Sequence, residues 1–101
     1  MFVHHVFFWL KNPGGTADKA ALIAGLTKLK AAASIDTAHI GIAANTNRAV
    51  IDSSYDVSWL LTFKNDADQA AYQTDPIHLK FIEDCAMHWE RVVVYDSIDA
   101  E

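Results

Sequence analysis

The sequence predicts an α+β fold: four antiparallel strands carrying two helices on one face, in the order β-α-β-β-α-β. Three observations lead there. Stretches dense in Val, Phe, Trp and Ile open and close the chain and favour the pleated conformation. Leu22, Leu26 and Leu29, with Ile23, recur at helical spacing after the first turn signal. A lone proline, Pro76, then divides a second helical region into two halves.

Taken in order, residues 3–11 form the first strand, and Asn12-Pro13-Gly14-Gly15 ends it as a turn. Thr16 stands at the N-cap position of a helix over residues 17–33, with Asp18 at the positive end of its dipole. Ser34-Ile35-Asp36 closes that segment. Residues 37–44 are a weaker strand, in which Ile40 and Ile42 alternate with His39, Gly41 and Ala43, and residues 45–54 are polar and loop-like. Across 55–63, Tyr55, Val57, Trp59, Leu61 and Phe63 share one face, and Asp56, Ser58, Leu60 and Thr62 the other. Asn65-Asp66 caps a short helix that ends near Thr74. Pro76 lacks a backbone donor and pushes Asp75 out of the helical region, so a new helix starts there with Pro76 in its first turn and Asp75 as its cap. That helix reaches about Met87, and residues 90–98 form the last strand. This order is the ferredoxin-like arrangement, expected as one domain over residues 1–101.

Composition narrows the partners. Net charge is −5, and the eight Lys and Arg residues are scattered, which argues against nucleic acid. One cysteine, Cys85, forbids an internal disulfide and suits a reducing, cytoplasmic setting; it is expected to be a small core residue. The apolar opening stretch is too short to cross a bilayer and has no basic leader, so no membrane is expected. His5, His39 and His88 share no ligand spacing with carboxylates or Cys85, and no phosphate-binding glycine loop occurs. Neither a metal nor an organic cofactor is expected.

The first and last strands are apolar on both faces. With helices covering one side, Phe7, Trp9, Val93, Tyr95 and Leu60 would lie in water. Two sheets packed face to face would bury them at ~25 cal/mol per Å², so a symmetric homodimer is expected.

Chemistry concentrates around the proline. Tyr72 and His78 lie six positions apart, on different sides of a straight helix, but a break at Pro76 lets them converge. An imidazole there could be a general base, and a phenol could donate to a developing enolate oxygen. The plainer alternatives are a capping histidine and a half-buried tyrosine. His4 and Asp96 fall on the helix-side face of the first and last strands, where a contact across neighbouring antiparallel strands would satisfy both and either orient the pocket or serve structure alone. Phe8, Leu22, Leu26, Trp59, Leu61, Trp89, Val92 and Val94 should surround the space between helices and sheet, either as filled core or as the wall of an apolar pocket.

The His-led first strand ending in Leu10-Lys11, Tyr55-Asp56-Val57, the Tyr72, Pro76, His78, Phe81 series and Val92-Val93-Val94-Tyr95-Asp96 together resemble the stress-responsive A/B-barrel (Dabb) family over nearly the whole chain. The resemblance implies a dimeric α+β barrel with an apolar pocket beside the tyrosine and histidine. It extends to the plant olivetolic acid cyclase, a cofactor-free polyketide cyclase. That pattern would make His78 and Tyr72 the catalytic pair, with His4 and Asp96 supporting. Asp75, Leu26 and Val57 stand where that pattern has His, Tyr and His. The implied activity is aldol-type acid–base chemistry on a small apolar carbonyl or polyketide compound. The alternatives are a non-catalytic, stress-associated binding or structural protein and a cofactor-independent monooxygenase.

Overall fold

At the middle of the computed structural model, which describes residues 1–101, β1 (Phe2–Leu10) is hydrogen-bonded on both sides. After it come α1 (Thr16–Leu29), β2 (Thr37–Gly41), β3 (Val57–Phe63), α2 (Asp66–Thr74), α3 (Pro76–Cys85), a single 3-10 turn at Ala86–His88, and β4 (Trp89–Ile98). The four strands make one antiparallel sheet in the order β2-β3-β1-β4. This is the ferredoxin-like fold, its second helix broken in two at Asp75.

Alternation along the strands sets the layers. Val6, Phe8 and Leu10 of β1 and Val57, Trp59, Leu61 and Phe63 of β3 are buried on the helix side. Leu22, Leu26 and Leu29 of α1 pack on them and are almost wholly enclosed. Burying each such leucine contributes about 1.5–3 kcal/mol, and truncating one to alanine would cost about 2–5 kcal/mol.

Gly25 lets α3 approach α1. A methyl group built at Gly25 would collide with Cys85 Sγ and lie 3.3 Å from Phe81 Cδ1, so a larger residue would require those side chains or the helices themselves to shift. The unpaired Cys85 is buried in that contact.

Several local expectations need correction. Thr16 does not cap α1: Gly15 occupies the cap position, and no side chain bonds the first turn. The helix stops at Leu29, because Ala31 N–H and Ala32 N–H turn to the carbonyls of Lys28 and Leu29 and tighten the spiral. Tyr55 does not share the buried face of Val57. The strand begins at Val57, so the alternation does not reach back to Tyr55, whose ring packs edge-on to Phe7 on the opposite face, 4.9 Å between centres.

That opposite face carries no helix. Phe7, Trp9, Tyr55, Val93 and Tyr95 meet there, and the Arg91 guanidinium lies 4.3 Å over the Trp9 ring. None of the helices is long and apolar enough to cross a membrane.

Candidate functional site

The chain reverses its helical course at one residue. Asp75 is extended (φ −60°, ψ 129°), and its carboxylate accepts from Ile77 N–H at 2.8 Å, starting α3. Pro76, in the first turn of α3, needs no donor there. Asn65 caps α2 in the same way, accepting from Asp68 N–H at 2.8 Å. The break swings His78 back toward Tyr72, and their ring centres lie 4.3 Å apart at a tilt of 35°.

Both side chains line a groove of about 240 Å³ between the α2–α3 junction and the sheet. His4, Val6, Phe8 and Trp59 form its sheet side, with Trp89, Val92 and Val94 toward β4; Gln73, Phe81 and Ile82 complete the helix side. Eight of the twelve residues singled out in the sequence therefore meet here: His78, Tyr72, His4, Phe8, Trp59, Trp89, Val92 and Val94. Asp96 stands just outside and reaches the site through His4. Leu22, Leu26 and Leu61 do not line the groove; they fill the core beneath α1, which leaves no space between helix and sheet. Val92 and Val94 are 43% and 44% exposed, because β4 is an edge strand that no helix covers. Four lining residues are not singled out for the site by the sequence: Val6, Gln73, Phe81 and Ile82, the last three because their position depends on the angle between α2 and α3.

Hydrogen bonding fixes the imidazoles. His78 Nδ1–H donates to the Gln73 carbonyl at 3.3 Å, and since a carbonyl can only accept, Nε2 is left with its lone pair. Burial holds the His78 pKa below the ordinary imidazole value. The Gln73 carbonyl and Asp75 oppose that shift, and His4 adds to it. His4 and Asp96 face each other across β1 and β4, and Nδ1–H donates to the carboxylate at 2.5 Å. This locks the His4 ring, whose centre lies 6.1 Å from that of Tyr72.

Tyr72 is 1% exposed. Burial pushes its pKa up to about 12, only partly offset by the Trp59 indole N–H, which donates to the phenol oxygen at 3.4 Å. With that oxygen accepting from Trp59, the phenol proton remains available to another acceptor. The arrangement offers a neutral base, a protonated donor and a carboxylate-tethered second imidazole beside an apolar wall.

A larger hollow of about 420 Å³ lies on the other flank of α3, between it and α1. Its one imidazole, His88, is bound to Asp18 at 2.8 Å, and it holds no phenol. The groove is therefore the better candidate for acid–base chemistry despite its smaller size.

A model of the stress-responsive A/B barrel domain (Dabb) family matches residues 2–99. Among solved structures, a protein from Arabidopsis thaliana superimposes with a TM-score of 0.81 at 19% identity, covering 100% of this chain and 97% of its own. A dimeric ferredoxin-like protein of unknown function from Thermobifida fusca gives 0.75 at 20%, with 95% and 88% covered. The hydroxynitrile lyase from Passiflora edulis gives 0.77 at 22%, with 99% and 94% covered. At these identities the likeness establishes the fold. No curated protein matches the chain.

Proposed function

The chain belongs to the stress-responsive A/B barrel (Dabb) family, and from that premise we propose that its groove performs cofactor-free acid–base chemistry on a small apolar carbonyl compound. The observation that carries the reading is the 4.3 Å pairing of the His78 and Tyr72 rings at an apolar groove, with His78 Nδ1 tied to a carbonyl.

In the reaction we envisage, His78 Nε2 removes a proton from the carbon next to a carbonyl. The C–H electron pair moves into that carbonyl, and Tyr72 O–H donates to the oxygen as it becomes negative. The enolate carbon then attacks a second carbonyl of the same molecule, forming a carbon–carbon bond and an alkoxide. The imidazolium of His78 returns its proton to that alkoxide. His4, held by Asp96, is placed to orient the reacting chain. This aldol-type closure is one use of a base and a donor flanking a carbonyl; the Passiflora edulis neighbour, a hydroxynitrile lyase, supports the wider class of addition and its reverse at a carbonyl.

We read the working form as a homodimer. The uncovered face of Phe7, Trp9, Tyr55, Val93 and Tyr95 supports this, as does the dimeric Thermobifida fusca neighbour. A cytoplasmic setting is in keeping with the single unpaired Cys85.

The test offers short poly-β-keto thioesters and other β-dicarbonyl compounds to wild type and His78→Ala. The reading expects turnover that falls by ~10²–10⁴-fold in the variant. Equal turnover by both would remove His78 from the mechanism. Binding without turnover by wild type would favour a ligand carrier instead.

A further inference from the structure

Phe81 belongs to both cavities. It lines the 240 Å³ groove with His78 and Ile82, and it lines the 420 Å³ hollow with Ile77 and Lys80. The ring is 8% exposed and clamped from two sides. Toward the groove it stacks on Trp89 (5.9 Å between centres, 26° tilt) and meets Phe8 edge-on at 6.5 Å. Toward the hollow it rests against Gly25, where even a methyl group would come within 3.3 Å of Cδ1. Phe81 is the one residue that lines both spaces.

Size gives that position meaning. A site for a small organic molecule usually measures about 300–1,000 Å³. The groove alone falls below that range, whereas the hollow alone lies within it. The hollow's lining is mixed: Ala21, Ala24 and Leu29 of α1 and Ile77 of α3 are apolar, while Lys28, Lys80, Asp84 and His88 are polar.

We propose that Phe81 is the specificity-determining residue that sets how long an apolar tail the groove accepts, and that the hollow between α1 and α3 is the space a longer tail would enter were the ring removed. This rests on the groove being the carbonyl site. The carbonyl end stays beside His78 and Tyr72, and the tail runs along Phe8 and Trp89 until it meets the Phe81 ring.

The experiment measures binding of a homologous series of straight-chain methyl ketones by quenching of tryptophan fluorescence, since Trp59 and Trp89 line the groove. Each methylene buried should tighten binding about fourfold. For wild type, affinity should climb with chain length and then level off. In Phe81→Ala, or in the milder Phe81→Leu if the first does not fold, the climb should continue past that point. Adding Ala24→Phe, which fills the hollow from an exposed helix position, should restore the original plateau. A plateau at the same chain length in wild type and in the folded Phe81 variants would overturn the partition and leave the groove reading intact. So would a wild-type series with no plateau. No binding of any ketone by wild type or variant would overturn both readings together.

Discussion

The Tyr72 and His78 ring centres lie 4.3 Å apart although six residues separate them in the chain. An uninterrupted helix would turn them to different sides. Their meeting depends on one extended residue, Asp75, between α2 and α3.

Two residues hold that break, and they should not be equal in effect. Asp75 bonds Ile77 N–H directly, so Asp75→Ala should cost about 0.5–2 kcal/mol, the usual loss for a helix cap. Pro76→Ala keeps the cap and should cost less than that. Asp75→Ala should also lower the His78 pKa further, because the Asp75 carboxylate raises it. Denaturant melts and imidazole NMR titrations check both; a larger loss from Pro76→Ala would make the proline the main determinant.

Activity should depend on pH in a one-sided way. Burial holds His78 below the ordinary value of about 6.5, so the neutral base already dominates at neutral pH. The rate constant kcat/KM should rise with pH through a value below 6.5 and stay level above it. Tyr72, with its pKa at about 12, should add no falling limb near neutrality. A profile still rising above pH 7 would contradict this assignment of the base.

Tyr72 should also govern alkaline stability. Its pKa is about 12 in the folded protein against an ordinary 10, so the unfolded chain gives up the proton first. Stability should therefore fall as pH climbs between those values, by about 2–3 kcal/mol in all. Tyr72→Phe should flatten that decline while lowering turnover more than substrate affinity. Urea melts on either side of pH 10 would test it; an unchanged alkaline slope in the variant would assign the loss to another group.

The bare face of the sheet should behave as a seam between subunits. Phe7 sits among His5, Tyr55 and Tyr95, with ring centres at 4.1, 4.9 and 6.0 Å. Phe7→Asp would bury a charge there if two sheets pack together. The variant should elute from gel filtration as a monomer, or aggregate, while retaining its secondary structure. An unaltered dimer would move the seam elsewhere.

Strand alternation was the most readable feature of the chain. Val57, Trp59, Leu61 and Phe63 are all buried, because a period of two leaves an edge-free strand little choice of face. Pro76 and Asp75 likewise announced the helix break. What periodicity cannot supply is the distance between packed elements. Leu22 and Leu26 read equally well as pocket wall or core, and the close seating of α1 on the sheet decides for core. Val92 and Val94 have the right parity for the site, yet an edge position leaves them half in solvent. The bond between His88 and Asp18, 70 residues apart, had no local signal at all.

The contact between Gly25 and Cys85 has a practical consequence. Burial, reinforced by Asp84 and opposed by Lys28, raises the Cys85 pKa, so little thiolate exists and what exists is held close against α1. Cys85 is only 4% exposed at the floor of the hollow between α1 and α3, so rapid alkylation of the sulfur needs α3 to move away from α1. With one thiol in the chain, the rate of labelling becomes a clock for that single opening event, read without any engineered probe. Run with and without a bound ketone, the same clock would report whether a ligand in the groove holds α3 closed.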